Sequence, residues 1–310
     1  MEKFMVNVSS VKSFLKCRRR WYYEWVLDRV PRKGQKALTF GKLLHEVFEA
    51  HFKTGISMKS AINLHITQLQ EYVGTEGPDT QEERDDILAA VADLETLREP
   101  LEMWKDQYVV GRTLEVEEAF EFPHPKNSNI IIRGRPDRVA IIFGKLFHIQ
   151  NRSLAPGKNI GMYTQLMQRD MHELIYSYAL QKKYPEFEYG GTLFNLVRKL
   201  KYRSKPTKAE PEGKIMHGLP EILGQYMMHV DEEQVQKALD DLLWVAQEMR
   251  KTVKDWEEGR FPASNRDMDA GFFGNTKDAY FEVLKHGEHL LYDDAMFKPR
   301  EVMYPVREEE

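Results

Sequence analysis

The sequence predicts a mixed α/β fold, and three observations carry the prediction. Four segments of helical apolar spacing precede any strand. The period then switches to two over Leu114–Phe122 and the β-branched runs after it, and helical spacing returns before two short strands and a long helix. A doubly wound sheet would alternate strand and helix from its start, so helices at the front argue for a mixed sheet with an insertion.

The first helix is expected from Ser9 to Leu27, where Val11, Phe14, Leu15, Trp21, Tyr22 and Trp25 recur at helical spacing and Ser9 or Ser10 can cap. Arg18, Arg19 and Arg20 lie near its middle. A turn over Pro31–Gly34 leads to a helix over Leu38–Phe52, with Leu44, Val47, Phe48 and Phe52 on its apolar stripe. Ser57–Tyr72 and Glu82–Tyr108 read as two more helices, parted by the loop VGTEGPDT. Leu114, Val116, Glu118, Phe120 and Phe122 alternate as one strand, and Ile130–Phe143 and Lys145–Ile149 complete a meander around Gly144. A helix over Gln165–Lys183, short strands over Thr192–Val197 and Gly224–Val230, and a helix capped by Asp231 and ending near Trp256 follow. Between Arg198 and Lys214 the chain is basic, poor in apolar residues, and reads as a loop. The expected division is N-terminal helices at 1–56, an inserted helical region at 57–110, the core sheet and helices at 111–264, and an extension at 265–310.

Composition narrows the function. The 310 residues suffice for one large domain or two ordinary ones. Lys plus Arg at 45 against Asp plus Glu at 49 give a net charge of −4, which excludes a globally basic coat but not a local basic groove. No apolar run is long enough for a membrane helix, and the N-terminus lacks the apolar centre of a secretory signal. The lone Cys17 excludes an internal disulfide and an iron–sulfur cluster held by cysteines, and it fits a reducing cytoplasm. Neither GxGxxG nor GxxxxGK[ST] occurs, which disfavours P-loop chemistry.

Asp137, in RGRPDRVAI, places a carboxylate in a strand otherwise built of Ile131, Ile132, Val139, Ile141 and Ile142. Such a group is either an edge-strand acid paired with Arg135 or Arg138, or a cation ligand. On the next strand, LFHIQNRS, His148, Gln150 and Arg152 are two apart and share one face with Leu146.

A Pro-Asp on one strand, a turn, and then [Asp/Glu]-x-Lys on the next resembles the PD-(D/E)XK nuclease superfamily; here the motif reads Pro136-Asp137 and Gln150-Asn151-Arg152. Three further segments resemble the RecB-like exonuclease branch, in its order. SSVKSFLKCRRRWYYEWV is similar to its N-terminal helix, GKLLHEVFEAHF to its G-x-x-x-H helix, and HELIYSYAL to its Q-x-x-x-Y helix. GRFPASN is similar to the approach to its last helix. The resemblance implies a restriction-endonuclease-like mixed sheet core flanked by helices, with the 57–110 helices as an inserted cap. It implies a Mg2+ or Mn2+ site held by His45, Asp137, Gln150 and the backbone carbonyl of Asn151, and catalytic roles for Asp137, Gln150, Arg152 and Tyr176. Oxygen and imidazole ligands suit such a hard cation, which binds a phosphodiester oxygen and acidifies water. DNA, as ends or single strands, is the implied substrate, a recombination or replication protein a further partner, and a bacterial or phage-infected cytoplasm the setting.

Three positions depart from the family pattern: Gln150 replaces the acid, Arg152 the Lys, and His172 the Gln of the helix motif. Gln150 can still ligate through its carbonyl but lacks a charge worth on the order of 4 kcal/mol at about 4 Å and an effective dielectric near 20. Arg152 keeps a positive charge yet cannot accept a proton from water. A nuclease-fold protein that binds DNA or assembles into a complex without cleaving is therefore the alternative. The iron–sulfur form of the branch needs C-terminal cysteines that SNRDMDAGFFGNTKDAYFEV lacks, so Cys17 reads as a small buried apolar residue. Arg18, Arg19, Arg20 and Lys42, and Arg198, Lys199 and Lys201 after them, form either two solvated faces or a path for DNA phosphates, with His172 and Tyr176 as the implied backbone contacts of the helix motif.

Overall fold

A computed structural model describes residues 3–31, 36–75, 81–107, 111–154, 159–168, 170–198, 201–203, 215–217, 221–260, 283, 288–293 and 296–299. In chain order the elements are β1 (Phe4–Asn7), α1 (Val8–Lys16), α2 (Arg18–Trp21), a π-helical turn (Tyr22–Val26), β2 (Arg29–Pro31), α3 (Lys36–Thr54), α4 (Met58–Thr75) and α5 (Gln81–Gln107). Then come β3 (Arg112–Val116), β4 (Phe120–His124), β5 (Asn127–Gly134), β6 (Arg138–Ile142), β7 (Lys145–Leu154), α6 (Ile160–Met167), α7 (Met171–Lys183) and β8 (Tyr189–Arg198). The chain continues through β9 (Lys201–Arg203), β10 (Ile215–His217), β11 (Glu221–Met228), α8 (Glu232–Glu257), a 3-10 turn (Glu288–Tyr292) and β12 (Phe297–Pro299).

These elements form two compact units, each built from discontinuous chain. The first takes Met1–Lys33, Ala119–Gly134 and Glu232–Glu310. Its sheet has the order β1-β5-β4, with β1 parallel to β5, and β12 pairs with β2. Tyr22 stacks on Trp256 of α8 at 4.0 Å between ring centroids. The second unit takes Gly34–Glu118 and Arg135–Asp231. Its five-stranded sheet has the order β11-β8-β7-β6-β3; β7 and β8 run parallel and the other neighbours antiparallel. The fold is thus the expected mixed α/β class, its sheets flanked by helices.

Local pattern accounts for the helical core of the second unit. Leu44, Val47 and Phe48 of α3 meet Ala61 and Ile62 of α4 and Leu94 and Leu97 of α5, all buried. Full burial of each large apolar side chain is worth about 1.5–3 kcal/mol at most, and this packing gives the 57–110 helices their place in this unit. Among the described residues no helix is long and apolar enough to cross a membrane.

Four expected elements divide, one of them the strand over Ile130–Phe143, which is β5 and β6 in different sheets, so that Asp137 lies between strands rather than within one. The first predicted helix breaks at Cys17, which adopts extended backbone (φ −156°, ψ 108°). Its Sγ accepts the Arg20 N–H at 3.5 Å, so the residue caps α2; it is 5 % exposed, as a small apolar residue would be. The predicted strand over Leu114–Phe122 is β3 and β4 in two different sheets, because Glu117 has left-handed backbone (φ 54°). The predicted Gln165–Lys183 helix also parts, into α6 and α7, where the Asp170 side chain accepts the His172 N–H and starts a new N-terminus. The Phe-Pro segment after Arg260 lies outside the described residues, as do Lys199 and most of 265–310.

Candidate metal centre

Strand register brings three polar residues into one row. Val116 pairs with Arg138, and Arg138 with Ile149. Continued by one residue, the two registers set Glu117, Asp137 and Gln150 side by side, and opposed residues share a face. The Glu117 N–H donates to the Asp137 carbonyl at 3.1 Å, and the Asn151 N–H donates to Asp137 Oδ2 at 2.9 Å. From α3, His45 Nδ1 reaches to 3.2 Å from Asp137 Oδ2. His45 is 31 % exposed, on the flank of the stripe that buries Leu44, Val47 and Phe48. One ligand atom from each of His45, Glu117 and Asp137 lies within 4.8 Å of the others.

Glu117 was absent from the sequence-predicted set. The only signal was the Glu117-Glu118 pair after Val116, and strict alternation assigned Glu118 rather than Glu117 to the row of Leu114 and Val116. Two features reverse that parity: a register shift between Thr113 and Glu115, and the left-handed residue itself. Such backbone costs a non-glycine residue about 1 kcal/mol, a form of strain found often at functional sites. Arg135 Nε holds Glu117 Oε2 at 2.9 Å.

Burial pushes the Glu117 carboxyl up to about 8; the Asp137 charge adds to this and Arg135 opposes it. In the unfolded chain the group returns to 4.5. A folded-state value above the unfolded one means that its contribution is complete at low pH and is lost as pH rises through about 8. In chelator, stability should therefore fall by about 2–4 kcal/mol between pH 5 and pH 9, and Glu117→Gln should remove most of that fall. Urea melts at both pH values check this; an equal pH dependence in the variant refutes it.

The other candidates lie along β7 and α7. Gln150 is 1 % exposed; its Nε2 is 3.5 Å from His148 Nε2, and its Oε1 has no hydrogen-bond partner among the described residues. An orphaned buried carbonyl oxygen on a residue that the strand register sets beside Asp137 is a fitting donor for a hard divalent cation, and with imidazole and carboxylate it makes a set that such a cation accepts. The Asn151 side chain is engaged elsewhere, its Oδ1 accepting from Asn195 Nδ2 at 2.9 Å. Arg152 Nη2 lies 3.5 Å from Glu173 Oε1. Burial works against the Arg152 charge, but the Asp137 and Glu173 carboxylates outweigh it and raise its pKa.

Glu173, also unpredicted, is a fully buried carboxylate with three cationic or polar neighbours. Its Oε2 is 3.3 Å from His148 Nδ1, and its Oε1 is 3.4 Å from His172 Nδ1. Burial alone would raise its pKa; the two imidazoles hold it below the usual carboxylate range instead. Tyr176 is 2 % exposed, and its hydroxyl accepts the Arg135 N–H at 2.8 Å and donates to the Arg135 carbonyl at 3.3 Å. Its ring lies 4.0 Å from that of His172. The Tyr176 hydroxyl thus serves both backbone groups of Arg135, on the segment before Asp137.

The basic residues have local partners. Arg18 Nη2 pairs with Glu248 at 3.1 Å, the Arg19 guanidinium lies over Trp256 at 5.9 Å, and Arg20 pairs with Glu24 at 3.7 Å. These three belong to the first unit, whereas the metal centre belongs to the second. Lys42 is 3.9 Å from Glu46 on α3. Arg198 ends β8 and Lys201 begins β9; the Lys201 side chain and Lys199 lie outside the described residues.

No curated protein matches the chain in sequence. Among solved structures, the crystal structure of SSO0001 is similar at 12 % identity over 79 % of this chain and 78 % of that one, with a TM-score of 0.30. The family model of the PD-(D/E)XK nuclease superfamily matches residues 5–268. That span holds both motif strands, β6 and β7, as neighbours in one sheet, and by this match the chain belongs to the PD-(D/E)XK nuclease superfamily.

Proposed function

We propose that the protein is a divalent-metal-dependent deoxyribonuclease of the RecB-like type, acting on DNA ends or single strands. The convergence of His45, Glu117 and Asp137 within 4.8 Å carries this reading. With Gln150 they would hold Mg2+ or Mn2+, and the Asn151 carbonyl is the further ligand that the family resemblance suggests. When bound, the cation supplies Lewis acidity to a phosphodiester and lowers the pKa of an attacking water. Arg152 offers positive charge to the phosphorane-like transition state but takes no proton. Tyr176 fixes the Arg135 backbone and through it the approach to Asp137. The site has no part for a cysteine-held cluster. A cytoplasmic place beside bacterial or phage recombination or replication proteins is part of this proposal.

Cleavage of labelled linear and circular DNA with and without Mn2+ tests it. Mn2+-dependent degradation of the linear form supports an exonuclease, and metal-independent binding with no cleavage of either form replaces it with the second reading. That second reading, a nuclease-fold protein that binds without cutting, is favoured by Gln150 and Arg152 standing where the family has an acid and a Lys.

Binding should also depend steeply on salt if the basic residues follow phosphates. Replacing Arg18, Arg19 and Arg20 together by Ala is expected to weaken DNA binding and to reduce the slope of log K against log salt by up to about 3. Fluorescence anisotropy between 50 and 200 mM salt checks it; an unchanged slope confines these arginines to their contacts with Glu248, Trp256 and Glu24.

A further inference from the structure

The missing charge at Gln150 makes the orientation of its amide decisive. A carboxylate presents oxygen whichever way it turns, whereas an amide presents oxygen in one orientation and an N–H donor, which repels a cation, in the other. We infer that Glu173 and His148 are positioning residues that lock the Gln150 amide with its oxygen toward the metal centre, an inference that rests on the metal-centre reading above.

The chain of contacts has one consistent direction. Gln150 Nε2 can only donate, so its 3.5 Å contact requires His148 Nε2 as acceptor and places the ring proton on Nδ1. Glu173 Oε2, 3.3 Å from that Nδ1, favours the same tautomer. This contact lies off the ring N–H direction and acts as a charge on a dipole rather than as an aligned hydrogen bond. All three side chains are buried, so water does not compete for these groups. The flipped amide would need the proton on His148 Nε2, away from the carboxylate. In the locked orientation Oε1 is the atom left without a hydrogen-bond partner among the described residues, on a residue that the strand register sets beside Asp137.

Glu173→Gln is close to isosteric and lets the new amide donate to His148 Nδ1, which reverses the tautomer and frees Gln150 to flip. Mn2+ binding, read by calorimetry or by the loss of the free-ion EPR signal, should weaken by about ten- to a hundredfold. The same change made together with Gln150→Glu should have less than about a threefold effect, because a carboxylate has no orientation to lose. A purely structural role for Glu173 would weaken binding equally in both backgrounds, and that outcome overturns the inference, as does no weakening in either. Nitrogen-15 shifts of the His148 ring in the unaltered protein give a second test that needs no variant: the Nδ1–H tautomer is expected, and the Nε2–H tautomer overturns the inference. Mn2+ binding abolished by Asp137→Ala but unmoved by Glu173→Gln sinks this inference alone. Failure of both the unaltered chain and the Gln150→Glu variant to bind Mn2+ sinks the metal-centre reading with it.

Discussion

Asp137→Asn is expected to abolish Mn2+ binding and to lower single-turnover cleavage of linear DNA by about 10³-fold or more while leaving the fold intact. The substitution keeps an oxygen to accept the Asn151 N–H but removes the charge that faces His45 at 3.2 Å. It also removes the like charge that helps push the Glu117 carboxyl up. In chelator the variant should melt at the same temperature as the unaltered protein or higher. Loss of cleavage together with a lower melting temperature would mean that Asp137 serves the fold instead, and full cleavage would place the chemistry elsewhere.

The second large effect is a gain. Gln150→Glu with Arg152→Lys restores the family pattern and should raise Mg2+ affinity and cleavage together, by tens to hundreds of fold on the scale of single electrostatic groups. The structure adds a condition. Gln150 stands beside Asp137 in the strand register, so a new carboxylate there repels that charge, by on the order of 3–4 kcal/mol at about 4–5 Å and an effective dielectric near 20. Without metal the double variant should be less stable than the unaltered protein, and with Mn2+ more stable. Adding Asp137→Ala should erase the gain in cleavage. If affinity rises and cleavage does not, the metal centre stands and the path of the DNA to it is what the chain lacks.

What the sequence made legible was local. The stripes Leu44, Val47, Phe48 and Leu94, Leu97 have their spacing within one helix, and α3 to α5 lie close to the segments read from them. The strands β6 and β7 likewise follow from adjacent β-branched runs across Gly144. The pieces of the site on these elements, His45, Asp137 and Gln150, could be named from motifs, but the 3.2 Å between an α3 imidazole and the carboxylate before β6 could not. Glu117 was hidden because its place depends on a register shift and a left-handed backbone, neither of which alters the hydropathy pattern. Glu173 was hidden because HELIYSYAL was matched to the helix motif through His172 and Tyr176, and nothing in its spacing marks the Glu between them as buried; His148 and Arg152 from β7 and His172 from its own helix make that burial tolerable. The strands β1, β2 and β12 are three or four residues long and exist through partners far away in the chain.

That last feature sets an order of assembly. β1 finds its partner only when Ile130 has been made, and β2 waits for Phe297. The chain emerging from a ribosome carries every residue of the second unit by Asp231, before any residue of α8 exists. Closing loops of such length costs entropy that only late contacts return. The unit with the metal centre is thus able to fold vectorially while β2 is still unpaired, so a segment made before that unit is secured only after it.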